Sequence, residues 1–210
     1  MVDFLVEMMN KIRALLLTTV SIFSCSLPAF ADWSYYTGTL QERQDTAQWC
    51  WASVTRAVLK HNKNIEREQC YLASEWVAGH GYTNYCCTGS NSQWGRPTPA
   101  SDRTAACVQP FSVTTALNEF GAYESYISHP IDPAGLSGVE AQLQANTPPV
   151  AIIGWPNGTS HAITVVSGTN ANNLTNYEIY DPWDGRMWIT RANLKVYRTT
   201  GKWIATIHTK

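Results

Sequence analysis

Five cysteines follow residue 31 in this 210-residue chain, and five cannot all pair within one molecule. The sixth, Cys25, lies in a segment with the three parts of a secretory signal. Basic Lys11 and Arg13 precede an apolar run from Ala14 to Phe23, and Ala29-Phe30-Ala31 supplies a small-residue ending. The run is short for a bilayer span. Cleavage is expected after Ala31, leaving a mature chain of residues 32–210. Acidic Asp3 and Glu7 are unusual before a signal core, and Met9-Asn10-Lys11 would be an ordinary start, so the initiator is either Met1 or Met9. Phe23-Ser24 before Cys25 suits a lipid-modified cysteine poorly. Export implies a secreted or periplasmic protein, where disulfides persist. No other segment reads as a membrane span, so no membrane contact is expected after cleavage.

The net charge is −1 and stays so without the signal, because Asp3, Glu7, Lys11 and Arg13 cancel. Phosphate binding needs a clear Lys/Arg excess, so nucleic acid is not an expected partner. Nine Trp and ten Tyr point to an aromatic core or cleft. Trp51, Val54, Val58 and Leu59 recur at helical spacing and predict a helix from Gln48 to Asn62, capped by Asp45 or Thr46. Asn64 is placed to cap a second helix, Ile65 to Val77. Residues 79–110 read as a long loop that needs fastening. Ser112 opens a short helix ending before Gly121, and Ser137 caps another running to Asn146. Short β-rich runs then follow at 150–155, 161–167, 177–180, 187–189 and 203–207. Helices followed by an antiparallel meander predict an α+β fold in one domain.

Cys50 stands at the start of the first predicted helix, where the positive end of the helix dipole favours thiolate, the nucleophilic form. Gln44 lies six residues earlier, and its amide can join the Cys50 N–H as an oxyanion hole. Ser160-His161-Ala162 puts a histidine at the head of an apolar strand. Tyr180-Asp181-Pro182-Trp183 puts an acid at the end of the next strand, within reach of His161 if the strands pair.

In this order and on these elements, the four residues resemble the papain-like cysteine peptidases, over Gln44 to Trp183. The resemblance implies a two-lobed fold, with Gln44 and Cys50 on an N-terminal helical lobe and His161 and Asp181 on a C-terminal antiparallel β lobe. Catalytic Cys50, His161 and Asp181 would meet in the groove between them. The chain departs from papain itself. Ala47-Gln48-Trp49 replaces Cys-Gly-Ser, Asp181 replaces asparagine, and His161 follows Cys50 by 111 residues rather than about 130–150. It resembles more closely the compact bacterial branches, such as the bacteriocin leader-processing and secreted papain-like peptidases. The expected activity is hydrolysis of peptide or protein substrates without a cofactor, with an inhibitor or immunity protein as a possible partner. The same machinery also serves amidases, deamidases and acyl or peptidyl transferases, and a binding module without activity is the further alternative. Few residues separate Ala31 from Gln44, so a large inhibitory pro-region is not expected.

With Cys50 free, Cys70, Cys86, Cys87 and Cys107 remain. Pairing adjacent Cys86 and Cys87 would close a strained ring. The alternatives are 70–86 with 87–107, or 70–87 with 86–107; either ties loop 79–110 to the second helix. The spacing suits zinc poorly, and no metal is expected. His61, His80, His129 and His208 read as ordinary surface or loop residues. Trp49, Trp155 and Trp183 are candidates for the substrate groove; Trp183 is also placed to cover the His161–Asp181 hydrogen bond, and Trp51 is equally a core residue. Asn157-Gly158-Thr159 and Asn173-Leu174-Thr175 match the glycosylation pattern.

Overall fold

The structure, a computed structural model, describes residues 33–36, 43–79, 81, 86–88, 96–97, 105–128, 136–171 and 174–210. The expected signal with Cys25, together with His80, His129 and Asn173, lies outside these residues.

Helix α1 (Cys50–Lys63) buries Trp51, Val54, Val58 and Leu59, the residues that set its period, together with Ala52, Ser53, Thr55 and Ala57. Lys60, His61 and Lys63 in its last turn oppose the negative end of the dipole. The expected caps differ at both ends. Trp49 occupies the N-cap position without a side-chain capping bond, and the Thr46 carbonyl receives the Trp49 N–H at 3.1 Å. Asn64 does not open the second helix. It ends α1 in the left-handed conformation (φ 52°, ψ 31°) and donates its N–H to the Leu59 carbonyl, a role Asn fills more readily than most residues. Helix α2 (Gln69–Gly79) therefore starts four residues later than the sequence suggests.

Two disulfides fasten the long loop, Cys70–Cys87 and Cys86–Cys107, which selects one of the two open pairings. Within that loop lie the strand pair β2 (Cys87–Thr88) and β3 (Arg96–Pro97) and a 3₁₀ turn at Ala105–Val108. Helix α3 (Val113–Glu119) has Ser112 as its cap, with Ser112 Oγ accepting the Thr115 N–H at 3.3 Å.

The second part is an antiparallel sheet. Its elements are β1 (Trp33–Tyr36), β4 (Tyr123–Ser128), β5 (Val150–Gly154), β6 (Ser160–Ala171), β7 (Leu174–Asp181), β8 (Gly185–Thr190), β9 (Val196–Tyr197) and β10 (Gly201–Thr209). The spatial order is β4-β10-β5-β6-β7-β8, with β1 on β6 and β9 on β10. Helix α4 (Leu136–Gln144) and the short α5 (Arg191–Lys195) complete the chain. The fold is α+β, helical in its N-terminal part and antiparallel β after it. One hydrophobic cluster joins α1, α2 and α3 to Val150, Ala162 and Ile207; a second unites Val139, Ile153, Ile163, Val165, Ile179 and Trp203. Period-2 alternation along β6 explains the division, since Ala162 and Ile163 point to opposite faces. Among the described residues no helix is long and apolar enough to cross a membrane.

Candidate active site

Cys50 is the first residue of α1 and is the free cysteine among the described residues, partly exposed. As the first helical residue, its backbone N–H has no partner inside the helix. The thiol opens into a cleft of about 420 Å³ lined by Gln48, Trp51, Phe111, Tyr126, Ile152 and Ile207, with His161 on its wall.

His161 is the second residue of β6 and is 1% exposed. Thr164 faces Tyr180 in the β6–β7 register, so Asp181 falls opposite position 163 and His161 reaches it along the diagonal. The imidazole Nε2 lies 2.8 Å from Asp181 Oδ1. Nδ1 is buried without a hydrogen bond of ordinary geometry. With Nε2 engaged by Asp181, the interaction between the imidazole and the Cys50 thiol falls to the Nδ1 side. Burial pulls the His161 pKa down, but the hydrogen bond to Asp181, the neighbouring Cys50 sulfur and the charges of both prevail and push it up to about 9. The ring is therefore held as imidazolium at neutral pH.

Asp181 is fully buried. Burial raises its pKa, yet the group stays below the usual carboxylate range because His161, the Tyr197 hydroxyl and the Trp183 N–H all favour the anion. Oδ1 accepts the Trp183 N–H at 2.7 Å besides His161, and Oδ2 accepts the Tyr197 hydroxyl and, at 3.2 Å, Arg198. Four donors leave the carboxylate one orientation. Trp183 stacks on the imidazole with centroids 3.9 Å apart and planes 14° apart, closing one face of the ring to water. Arg198 also pairs with Asp184 and lies over the Trp183 ring at 5.0 Å.

Gln44 sits beside the helix start. Its amide Nε2 donates to the Thr46 carbonyl at 2.6 Å, the same oxygen that receives the Trp49 N–H, and its backbone N–H bonds the Pro182 carbonyl at 3.0 Å. Gln44 thus links the head of α1 to the turn that follows Asp181. Gln44 is not among the residues that line the Cys50 cleft, and its Oε1 is buried without a hydrogen-bond partner.

The candidate groove tryptophans separate. Trp49 is not on the groove wall: it is fully buried, and its indole N–H bonds the Cys107 carbonyl at 2.7 Å, because a Trp beside a helix start finds a buried acceptor in the disulfide loop. Trp155 is also outside the Cys50 cleft. It lines a separate recess of about 400 Å³ with Asn157, Thr159 and Trp183. Trp51 is core, in edge-to-face contact with Phe111. Tyr197 and Arg198 escape sequence reasoning, since neither lies in a motif and β9 is only two residues long. His208 is half-buried on β10 rather than a loop residue.

No protein-family profile matches the chain, and no curated protein matches it. A solved structure similar to it comes from work on the limited antibody cross-reactivity between the mite allergens Blo t 1 and Der p 1. That likeness has a TM-score of 0.48 and 12% identity, and covers 82% of this chain and 67% of the other.

Proposed function

We propose that this protein is a secreted cysteine peptidase of the papain-like kind, with Cys50 as nucleophile, His161 as acid and base, Asp181 as the group that orients His161, and Gln44 with the Cys50 N–H as the oxyanion hole. The observation that carries the reading is the buried imidazole between a fully buried carboxylate at 2.8 Å and a cysteine at a helix N-terminus. Proton transfer needs a base whose ring cannot turn, and Asp181 and Trp183 hold it.

The thiolate of Cys50 attacks the scissile carbonyl carbon, and the carbonyl π electrons move to oxygen. That oxyanion is met by the Cys50 N–H and the Gln44 side-chain amide, which turns from the Thr46 carbonyl to donate to it. Collapse breaks the C–N bond, and His161 delivers its proton to the departing amine. The neutral imidazole then takes a proton from water, whose oxygen attacks the thioester; Cys50 leaves as thiolate and His161 is again imidazolium. Asp181 keeps its charge throughout and stabilises the imidazolium at each stage. Two disulfides suit an exported chain.

The test is hydrolysis of labelled casein and a peptide panel by the mature chain and by Cys50→Ala. Loss of all cleavage is the expected result, and persistent cleavage shows the assignment wrong. Mass spectrometry of the products separates the related chemistries, because peptide hydrolysis yields two fragments while deamidation keeps one chain.

A further inference from the structure

Gln69 is a buried polar residue that the mechanism above does not use. It opens α2 and is 1% exposed. Its carboxamide does not bond within its own helix. Oε1 accepts the Asp45 N–H at 3.0 Å, and Nε2 donates to the Arg43 carbonyl at 2.8 Å. One planar amide therefore bonds the backbone on both sides of Gln44, as a neighbouring strand would. The Gln44 backbone is tied a third time, by its N–H to the Pro182 carbonyl. The next residue along α2, Cys70, is anchored by its disulfide to Cys87. The amide is thus fixed to a cross-linked helix, and segment 43–45 is fixed to the amide.

We infer that Gln69 is a positioning residue for the oxyanion hole, holding the Gln44 backbone so that the Gln44 side chain stays at the head of α1. The inference rests on the peptidase reading and deepens it. Segment 43–45 has no helix or strand of its own, so its backbone groups depend on partners elsewhere. A carboxamide matches a free N–H and a free C=O through two separate atoms, as a peptide unit does, whereas a carboxylate can only accept. An apolar side chain of similar size leaves both groups unpaired and Gln44 free to shift, and a misplaced oxyanion donor acts on the transition state rather than on substrate binding.

The experiment is a double-mutant cycle with Gln44→Ala and Gln69→Leu, read as kcat and KM on fluorescein-labelled casein, with alkylation of Cys50 followed in each variant. Gln44→Ala should lower kcat by about 10²-fold. Gln69→Leu should lower kcat about tenfold, leave KM within about twofold and leave Cys50 alkylation near the wild-type rate. Added to Gln44→Ala, Gln69→Leu should change kcat by less than about twofold, because the group it positions is gone. A Gln69→Leu protein with unchanged kcat overturns the inference, and so does a loss that multiplies in full with that of Gln44→Ala. If Gln44→Ala itself leaves kcat intact, the role of Gln69 falls with that of Gln44, while the assignment of Cys50 stands or falls separately on Cys50→Ala. Should Gln69→Leu not fold, Gln69→Glu carries the same cycle, keeping the acceptor for Asp45 and removing the donor to Arg43.

Discussion

Replacing Asp181 by Asn removes a charge while nearly preserving shape. The carboxylate is met by four donors: His161, Trp183 N–H, Tyr197 and Arg198. Asn offers an oxygen to one pair and an NH₂ to the other. The Tyr197 hydroxyl can turn to accept from that NH₂, whereas Arg198 cannot and is left with Asp184 and the Trp183 and Tyr197 rings. The main effect is felt by His161. Its pKa stands at about 9 instead of 6.5 against the pull of burial, a preference for imidazolium on the order of 3 kcal/mol that Asp181 and Cys50 sustain together. Because the two also offset burial, half of that net preference, about 1.5 kcal/mol or roughly one pH unit, is the least that an equal share gives Asp181. Initial rates of casein hydrolysis from about pH 5 to about pH 10 should place the alkaline limb near 9 in the wild type and at least about one unit lower in Asp181→Asn, with kcat at neutral pH down by about 10²-fold. An alkaline limb at the same pH in both proteins would refute the claim that Asp181 sustains the imidazolium, whatever the loss in rate.

The same pair makes stability depend on pH. His161 is raised in the folded state, so its contribution is complete below about 6.5 and is lost as pH rises through about 9; urea midpoints should fall over that window and flatten in Asp181→Asn. Asp181 is lowered, so its contribution is lost as pH drops below the usual carboxylate range. Replacing Cys86 and Cys107 together by Ala opens a link between residues 21 apart, which costs about 3 kcal/mol by loop closure and should lower Tm by about 10 °C in a thermal melt. Gly201→Ala puts a Cβ 2.7 Å from Ile153 and Trp155 side-chain atoms and 2.9 Å from the Tyr197 carbonyl, so the variant should lose about 1–3 kcal/mol by urea unfolding.

Helix α1 was legible because its apolar residues repeat at helical spacing and packing rewards that face. Its ends were not. Asn can open a helix or close one, and which role Asn64 takes depends on whether 65–68 are helical, which they are not. Strand β4 went unread because Tyr126 and Ile127 remain exposed and the segment shows no buried face; it is a strand because β10 offers it an edge, with Thr206 opposite Ile127. The placement of Cys50 at a helix head and of His161 beside Asp181 was readable since each stands at or next to the end of an element whose period the sequence carries. The partners of Asp181 were not. Arg198 and Thr199 turn the chain with φ of 48° and 68°, where Gly or Asn is usual, so nothing local announces a turn there. Trp49 misled for a related reason: its indole N–H is satisfied by Cys107, 58 residues away, a contact made by the disulfide loop and not by any local pattern. The disulfide pairing waited on the same tertiary placement.

Alkylation tests, without a known substrate, whether Cys50 and His161 act as one chemical unit. Iodoacetamide labelling of Cys50 at pH 7, followed by mass spectrometry of the peptide that carries it, should be about 10²-fold slower in His161→Gln than in the wild type, with both proteins equally folded by thermal melting. Equal labelling rates in the two proteins would contradict the account.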